Sequence, residues 1–286
     1  MPRWMTGIIS ISSMHRGNAE VKVNKETIMK TPKNGFKSSL AAGRCQVGLR
    51  SQSCSPMIAE IIGTAGFDFI YFDLEHTPAD AMAIYMQLQA LAATPAQAVM
   101  KLPIKDSILV QRLVDMGAAN YVAPMVQNAG DARTAVRLCK FPPAGVRGAA
   151  GPVRANRFGD YEDYFERAND EICMIMQIET REALANIPEI LQVDGVDAIL
   201  FGPADLAADF GHLGNSRHQE VREAIRAAIH TIRQAGKVVG MSAGEADAAH
   251  WFSLGCAFVT VGNDIAILSQ SVRTLAAKFA NVSANP

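Results

Sequence analysis

The stretch FIYFDLEHTP, residues 69–78, places a short apolar run directly before three ionisable side chains, those of Asp73, Glu75 and His76. The run is rich in aromatic and β-branched residues, which favours a strand buried on both faces. A proline closes the stretch, and an amphipathic helical pattern begins at residue 79. The stretch therefore predicts a buried strand, a polar loop and a helix in succession.

The same unit recurs along the chain from residue 40 onward. Strand-like runs are predicted at residues 46–49, 69–74, 98–102, 121–126, 173–178, 198–201, 238–241 and 258–261. Helical patterns cover residues 79–93, 107–117, 131–140, 181–193, 219–235, 246–255 and 265–279. Eight strand–helix units in about 245 residues are typical of a (β/α)₈ TIM barrel. An open, doubly wound sheet is the rival architecture, but no GxGxxG motif follows the first strand.

The composition narrows the classes of function. The 286 residues carry 27 Lys and Arg against 28 Asp and Glu, so no strong field would hold nucleic acid or a membrane surface, and a small-molecule partner is favoured. No apolar run approaches the length of a membrane span. The five cysteines are an odd number without a CxxC spacing, which predicts reduced thiols and a cytoplasmic protein. Residues 1–34 are polar and weakly periodic, so we expect a flexible extension before a single domain at residues 35–286.

Polar groups at the ends of barrel strands are candidates for catalysis, because the loops there converge on one mouth. On an extended strand Asp73 and Glu75 point to the same side, and His76 follows at the lip. One interpretation is a polar strand end that caps the next helix. The other is an Asp73–His76 pair, in which the carboxylate fixes the imidazole for proton transfer near neutral pH.

Two further strand ends carry carboxylates. Glu179 ends the fifth run and Asp205 follows a Gly-Pro turn after the sixth, so the two would be neighbours across the mouth. Each could instead favour a helix N-terminus. Close carboxylates repel unless a proton or a cation lies between them, and oxygen ligation suits Mg²⁺ or Mn²⁺. Backbone N–H groups at residues 202–204 could hold the carboxylate of an α-keto acid beside such an ion.

Five motifs, in this order and spacing, resemble the HpcH/HpaI family of metal-dependent class II pyruvate aldolases. They are FDLEHTP, VAPMVQNAGDAR, FPPAGVRG, QIETREA and GPADLAADFG, within about residues 35–280. The resemblance implies aldol cleavage or formation of 4-hydroxy-2-oxo acids, with pyruvate as the enolate donor and an aldehyde as the acceptor. It also implies a homohexamer, in which the last helix packs on a neighbouring barrel.

The resemblance assigns roles to residues of this chain. It implies that Glu179 and Asp205 bind the metal and that His76 and Asp73 form the acid–base pair. Glu75 would orient water around the ion. The remaining implied residues contact pyruvate: Gln177 through its side chain, and Gly202, Pro203 and Ala204 through the backbone.

This sequence departs from the family pattern at two positions. Lys101 stands where the family has arginine at the end of the third strand, so the positive charge remains but the bidentate fork is lost. Arg50 ends the first strand, where relatives carry an apolar or aromatic residue, and we expect it to compensate or to contact a carboxylate of the acceptor. A desolvated Lys101 could alternatively act as a Schiff-base nucleophile.

A glycine-rich loop at residues 145–160 contains Arg147, Arg154 and Arg157. The loop is either a flexible surface segment or a basic rim that covers the mouth or meets a neighbouring subunit. Over the mouth, Arg147 would contact the substrate. Two other functions remain open at this level. The chain could be a citrate-lyase-like enzyme acting on a thioester, or a non-catalytic paralogue that binds a keto acid, with Lys101 as a sign of decay.

Overall fold

The computed structural model describes residues 29–280, which form a closed barrel of eight parallel strands in chain order. The predicted TIM barrel is therefore confirmed. The strands are β1 (Gln46–Ser51), β2 (Phe69–Phe72), β3 (Gln97–Lys101), β4 (Asn120–Ala123), β5 (Cys173–Ile178), β6 (Ala198–Phe201), β7 (Val238–Ser242) and β8 (Phe258–Asn263). The barrel closes where β1 pairs with β8, at Gln46 opposite Phe258 and Val47 opposite Val259.

Helices lie before, between and after the strands. They are α1 (Gly35–Ala41), α2 (Pro56–Thr64), α3 (Ala81–Leu91), α4 (Ser107–Asp115), α5 (Ala129–Cys139), α6 (Tyr164–Glu171), α7 (Arg181–Ala185), α8 (Ile187–Ile190), α9 (Pro203–Asp209), α10 (Gln219–Gln234), α11 (Glu245–Ser253) and α12 (Asp264–Phe279), with a 3₁₀ segment at Arg154–Gly159. The sequence patterns miss four of these helices, α1, α2, α6 and α9, of which α1, α6 and α9 have eight or fewer residues. The single helix predicted at residues 181–193 is broken at Asn186, because Pro188 cannot continue the hydrogen bonding of α7.

Two hydrophobic layers explain why the strands are apolar on both faces. Inside the barrel, side chains such as Tyr71, Val122 and Ile175 form one buried cluster. Outside it, Ile70, Tyr121 and many others pack against the helices in a larger cluster. Strands β2, β4, β5 and β6 are buried at every position, as the predicted continuous runs require.

Three aromatic rings fill the amino-terminal end of the barrel. Phe36 of α1, Phe69 of β2 and Phe258 of β8 meet edge to face, with centroids 5.3 to 6.3 Å apart. Glycines provide the space for them, since a Cβ on Gly48 would lie 2.3 Å from the Phe69 ring and one on Gly240 equally close to Phe258. The barrel is thus closed at this end and open at the other.

We predict that Gly48→Ala lowers the free energy of unfolding by about 3 kcal/mol, the upper part of the range for overpacked cores. The added methyl group would overlap three atoms of the Phe69 ring, which the neighbouring aromatic rings hold in place. Urea denaturation measures the effect. Gly151→Ala is the matched control, because its Cβ would meet no atom within 4 Å, and an equal loss in both variants would contradict the aromatic plug.

The predicted N-terminal extension, residues 1–34, lies outside the described residues over positions 1–28. Residues 29–34 run along the amino-terminal end of the barrel. Met29 forms a bridge with Tyr161, and the Asn34 side-chain amide donates to the Asn120 side-chain oxygen at 2.8 Å and to the Glu171 carbonyl at 2.7 Å. These last six residues are therefore tied to the barrel by specific contacts.

The final helix, α12, differs from the others because its apolar residues face outward. Only Asp264 is buried within it, where its carboxylate accepts hydrogen bonds from the backbone N–H groups of Gln52 and Ser53. The large apolar side chains of α12 that are 44% to 59% exposed are Ile265, Ile267, Leu268, Val272, Leu275 and Phe279. Across residues 29–280, we find no helix with the length and apolar character that a bilayer crossing requires.

Candidate active site

The carboxyl ends of the strands surround a cavity of about 630 Å³, which we call the mouth. Its lining contains most of the residues predicted from the strand ends. Those predicted residues are Arg50, His76, Lys101, Gln177, Gly202, Pro203, Ala204 and Asp205. Strand order explains the convergence, because β5 and β6 are neighbours in the sheet and both end at this face.

Glu179 lies just past the end of β5 and is almost completely buried, at 1% exposure. Its Oε2 accepts a hydrogen bond from the Met125 backbone N–H at 3.0 Å, and its Oε1 accepts one from the Gln177 amide. Burial raises the pKa of Glu179 to about 7, and the negative charges of Asp205 and Glu75 add to the rise, while the Lys101 ammonium opposes it. The positive charge near the carboxylate is therefore too small to offset the effect of its burial.

Gly202 separates Glu179 from the start of α9. A Cβ at this position would lie 2.5 Å from Glu179 Oε1 and 2.8 Å from the Gln177 amide nitrogen, so a side chain cannot be accommodated. No side chain caps α9, and Asp205 stands in its first turn, exposed to the mouth. The first N–H groups of the helix are left without intrahelical acceptors, as at any helix start.

These residues fit a divalent cation of the Mg²⁺ or Mn²⁺ type. Glu179 and Asp205 supply carboxylate oxygens without a cysteine beside them among the residues lining the mouth, which matches the preference of hard cations. The raised pKa of Glu179 and the repulsion from Asp205 are the conditions that a bound cation would relieve. The absence of a Cβ at Gly202 lets the start of α9 approach the Glu179 carboxylate and the Gln177 amide closely.

A buried chain of hydrogen bonds holds Glu179 from below, and part of it was not evident from the sequence. The Tyr71 hydroxyl donates to the Gln177 side-chain oxygen at 3.3 Å, and the Gln177 amide in turn donates to Glu179. Tyr71 and Gln177 both point into the barrel. The sequence pattern does not distinguish Tyr71 from the apolar residues of β2. Its position two residues before Asp73 nevertheless places it on the same side of the strand as Asp73.

Lys101 ends β3 and points into the mouth, where it is only 4% exposed. Its ammonium forms an ion pair with Glu75, and its charge also lowers the pKa of Asp73. Lys101 is therefore a paired cation at the centre of a group of carboxylates. The ion pair with Glu75 suits a fixed positive charge at this place better than a nucleophilic amine.

The structure corrects the predicted Asp73–His76 pair. Strand β2 ends at Phe72, two residues earlier than predicted, and the chain turns at Asp73. The Asp73 carboxylate accepts hydrogen bonds from the backbone N–H groups of Glu75 and His76, at 3.1 and 3.3 Å. The His76 imidazole, which is half exposed, instead has Glu75 as its carboxylate neighbour, at 3.5 Å. An Asp side chain that closes its own turn is not free to orient the imidazole.

Arg50 reaches the mouth from β1 and is fixed by two neighbours. Its guanidinium donates to the Ser242 hydroxyl at the end of β7 and lies 3.8 Å from the Asp73 carboxylate. The side chain stays 25% exposed, so donors remain available to a ligand. Ser242 is a residue that the sequence patterns did not single out, because one serine at a strand end has no distinctive spacing.

The structure does not bring Arg147 into the mouth. Its side chain is 1% exposed and donates to Asp115 at 2.6 Å and to the Tyr164 hydroxyl at 3.0 Å. Its guanidinium also lies over the Phe141 ring, 4.3 Å from the centroid. The predicted contact with substrate therefore does not match its position, since the loop at residues 145–160 runs at the amino-terminal end of the barrel and not at the mouth.

Comparison with known proteins places this chain in a family. A family model described as HpcH/HpaI aldolase/citrate lyase matches residues 46–271. A 4-hydroxy-2-oxo-heptane-1,7-dioate aldolase of Klebsiella pneumoniae subsp. pneumoniae is 48% identical over 248 residues, which cover 86% of this chain and 94% of the relative. A protein of the same name from Shigella sonnei is 46% identical, with coverages of 86% and 95%.

The solved structures agree with the sequence comparison. An HpcH/HpaI aldolase/citrate lyase family protein from Burkholderia cenocepacia J2315 is 36% identical and superimposes with a TM-score of 0.82. The alignment covers 86% of this chain and 99% of that protein. The resemblance inferred from the five motifs is confirmed, and the chain belongs to the HpcH/HpaI aldolase/citrate lyase family.

Proposed function

We propose that the chain is a divalent-metal-dependent aldolase, a carbon–carbon lyase that cleaves or forms 4-hydroxy-2-oxo acids. Pyruvate is the enolate donor and an aldehyde is the acceptor. The class of reaction agrees with the named relatives, which are aldolases. The observation that carries the proposal is the buried Glu179 carboxylate, which is close enough to Asp205 to be affected by its negative charge and lies against the Gly202 backbone at the start of α9.

Binding of pyruvate is assigned to the β5 and β6 side of the mouth. Glu179 and Asp205 would hold Mg²⁺ or Mn²⁺, which supplies Lewis acidity toward the keto oxygen when it is bound. The Gln177 side chain and the backbone at Gly202, Pro203 and Ala204 would position the keto acid and its carboxylate. Lys101 adds a positive charge near the oxygens on which negative charge develops.

Proton transfer is assigned to His76 on the opposite side of the mouth. Histidine is the side chain most often used for general acid–base catalysis, and the half-exposed His76 imidazole is free to reach the C4 hydroxyl of a substrate. Glu75 lies next to both His76 and Lys101, so it can hold the imidazole and orient water molecules. Asp73 contributes by shaping the turn that carries His76.

The test of the proposed function is proton exchange in pyruvate. The protein is incubated with pyruvate and Mn²⁺ in D₂O, and the methyl signal is followed by NMR. We expect the methyl protons to exchange, because enolate formation does not need the aldehyde. Absence of exchange with every divalent cation tried would refute the aldolase and favour a keto-acid-binding protein. Exchange that proceeds unchanged in EDTA would refute the role of the metal.

Arg50 is expected to bind the distal end of the acceptor. We predict that Arg50→Met raises KM about tenfold for an aldehyde with a terminal carboxylate, since a charge-assisted hydrogen bond is lost. The KM for a neutral aldehyde of equal length should change little. Steady-state kinetics with succinic semialdehyde and butanal measure the two values, and an equal effect on both would exclude this role.

We further propose a cytoplasmic homo-oligomer, a hexamer in the form implied by the family resemblance. The apolar face of α12 supports association, because six large apolar side chains of one helix are about half exposed in the single chain. A second copy of the barrel is the occupant that the resemblance implies.

We predict that the double variant Leu268→Glu and Leu275→Glu reduces the assembly to smaller species. Both residues are more than half exposed, so the barrel itself should remain folded. Light scattering coupled to size-exclusion chromatography measures the mass. Gln270→Glu, on the same helix, is the control and should leave the mass unchanged. An unaltered mass in the double variant would mean that α12 is not an interface.

A further inference from the structure

The glycine-rich loop at residues 145–160 lines a second cavity, remote from the mouth. This cavity, which we call the lower cavity, has about 550 Å³ and lies at the amino-terminal end of the barrel. Its walls include the starts of β3 and β4, the end of α6 and the 3₁₀ segment. The arginines that the sequence suggested as a rim of the mouth, Arg147, Arg154 and Arg157, all lie here.

The lower cavity carries an excess of positive charge. Four cationic residues line it, namely Lys33 and the three loop arginines, whereas Glu171 is the one acidic residue among its described lining. Glu171 is already engaged, because it binds Arg167 at 2.5 Å and accepts the Asn34 backbone N–H at 2.7 Å. Arg147 and Arg157 have acidic partners outside the lining, Asp115 and Asp160. Lys33 and Arg154 are the cations of the lining that have no ion pair among residues 29–280.

Arg154 is the partly buried cation of the lining that lacks an acidic partner among residues 29–280, whereas Lys33 is exposed to solvent. The Arg154 guanidinium donates only to backbone carbonyls, to Met116 at 2.6 Å and Leu88 at 3.0 Å, and it has no ion pair with any residue at positions 29–280. Burial lowers the pKa of Arg154, and no carboxylate counters this effect. A half-buried arginine without a counter-ion is an unfavourable arrangement that a bound anion would relieve.

Arg147 is the buried arginine of the lining. Its guanidinium is paired with Asp115 at 2.6 Å and donates to the Tyr164 hydroxyl at 3.0 Å, and its Nε atom has no surface that faces the cavity. Arg147 therefore contributes to the wall of the cavity, and Arg154 is the group that would meet an anion.

The apolar part of the lining indicates what kind of anion fits. Tyr121, Tyr161 and Tyr164 surround the cavity, together with small residues that include Ala118 and Ala168. A bare inorganic ion would leave most of the roughly 550 Å³ and these apolar walls unused. A volume of this size is in the range of sites for small organic ligands.

We propose that the lower cavity is a binding site for a small organic carboxylate with an aromatic or branched apolar body. Arg154 binds the carboxylate, and the tyrosines and alanines enclose the body. The site is distinct from the mouth and does not depend on a metal, so it stands or falls separately from the proposed aldolase.

The test uses benzoate as the probe and benzamide as its neutral isostere, with binding to the full-length protein measured by calorimetry. We expect benzoate to bind and benzamide to bind at least tenfold more weakly. Arg154→Gln should weaken benzoate at least tenfold. Ala155→Leu, which narrows the cavity without altering charge, should weaken it as well and covers the case in which Arg154→Gln does not fold.

The control separates the lower cavity from the mouth. Arg50→Met removes a cation from the mouth and should leave benzoate binding unchanged. Loss of binding in Arg50→Met with no loss in Arg154→Gln would place benzoate in the mouth and overturn the proposal. Absence of benzoate binding to the unaltered protein, or equal binding of benzoate and benzamide, would overturn it too.

Discussion

Glu179→Gln is expected to lower kcat/KM for aldol cleavage by about 10³-fold, the size of effect seen when a preorganised charge-stabilising group is removed. Glutamine has nearly the same shape as glutamate, and its one acceptor oxygen can keep one of the two hydrogen bonds that Glu179 accepts from Met125 and Gln177. The amide cannot carry the negative charge that attracts the cation. The rate should therefore fall because the ion is lost or held in the wrong place, and not because the barrel unfolds.

Two measurements distinguish loss of the cation from a general loss of structure. The exchange of pyruvate methyl protons in D₂O should be lost together with turnover, since both need the same charge. Glu182→Gln, an exposed position in the first turn of α7, is the matched control and should retain full activity. If Glu179→Gln kept more than one tenth of the activity, Glu179 would not be a metal ligand.

The second large effect is a pH-dependent stabilisation by Mn²⁺. Glu179 has a pKa of about 7 in the metal-free folded protein against 4.5 for an ordinary glutamate, so the folded state holds a proton that the unfolded chain has lost. Between these two pKa values the metal-free protein becomes less stable as the pH rises, and above the higher value the loss is complete. The shift corresponds to roughly 3 kcal/mol.

A bound cation takes the place of that proton, so its benefit grows across the same pH range. We predict that saturating Mn²⁺ raises Tm by about 5 °C more at pH 8 than at pH 5, using the size dependence of Tm shifts. Differential scanning calorimetry of the protein with and without Mn²⁺ measures this difference. In Glu179→Gln the pH dependence of the Mn²⁺ effect should vanish, and an identical effect at both pH values in the unaltered protein would contradict the assignment.

The barrel was predictable because its signal is repeated along the chain. Each strand is a short, nearly continuous apolar run, and the runs follow one another at regular spacing with helices between them. The glycines at positions 48 and 240 illustrate what local patterns do not show. They accommodate Phe69 and Phe258, which come from neighbouring strands, so the reason for each glycine lies in another part of the sequence.

The site was predictable to the extent that strand ends define it. Gln177, Glu179 and Asp205 all follow apolar runs. Gln177 and Asp205 line the mouth, and Glu179 accepts a hydrogen bond from Gln177. The partner of His76 was not predictable, because it depends on whether β2 ends at Phe72 or two residues later, and strand ends are set by local hydrogen bonds of the turn. The place of Arg147 depends on the path of a long loop, for which the sequence carries no periodic signal.

The rings of Phe36, Phe69 and Phe258 close one end of the barrel, so a ligand of the barrel enters and leaves through the mouth. Gln177 and Glu179 are buried at the inner end of the mouth, whereas Arg50 and His76 are more exposed to solvent. Substrate binding and product release must therefore follow a fixed order. In the cleavage direction the aldehyde has to depart before the keto acid behind it can leave, and in synthesis the keto acid has to arrive first.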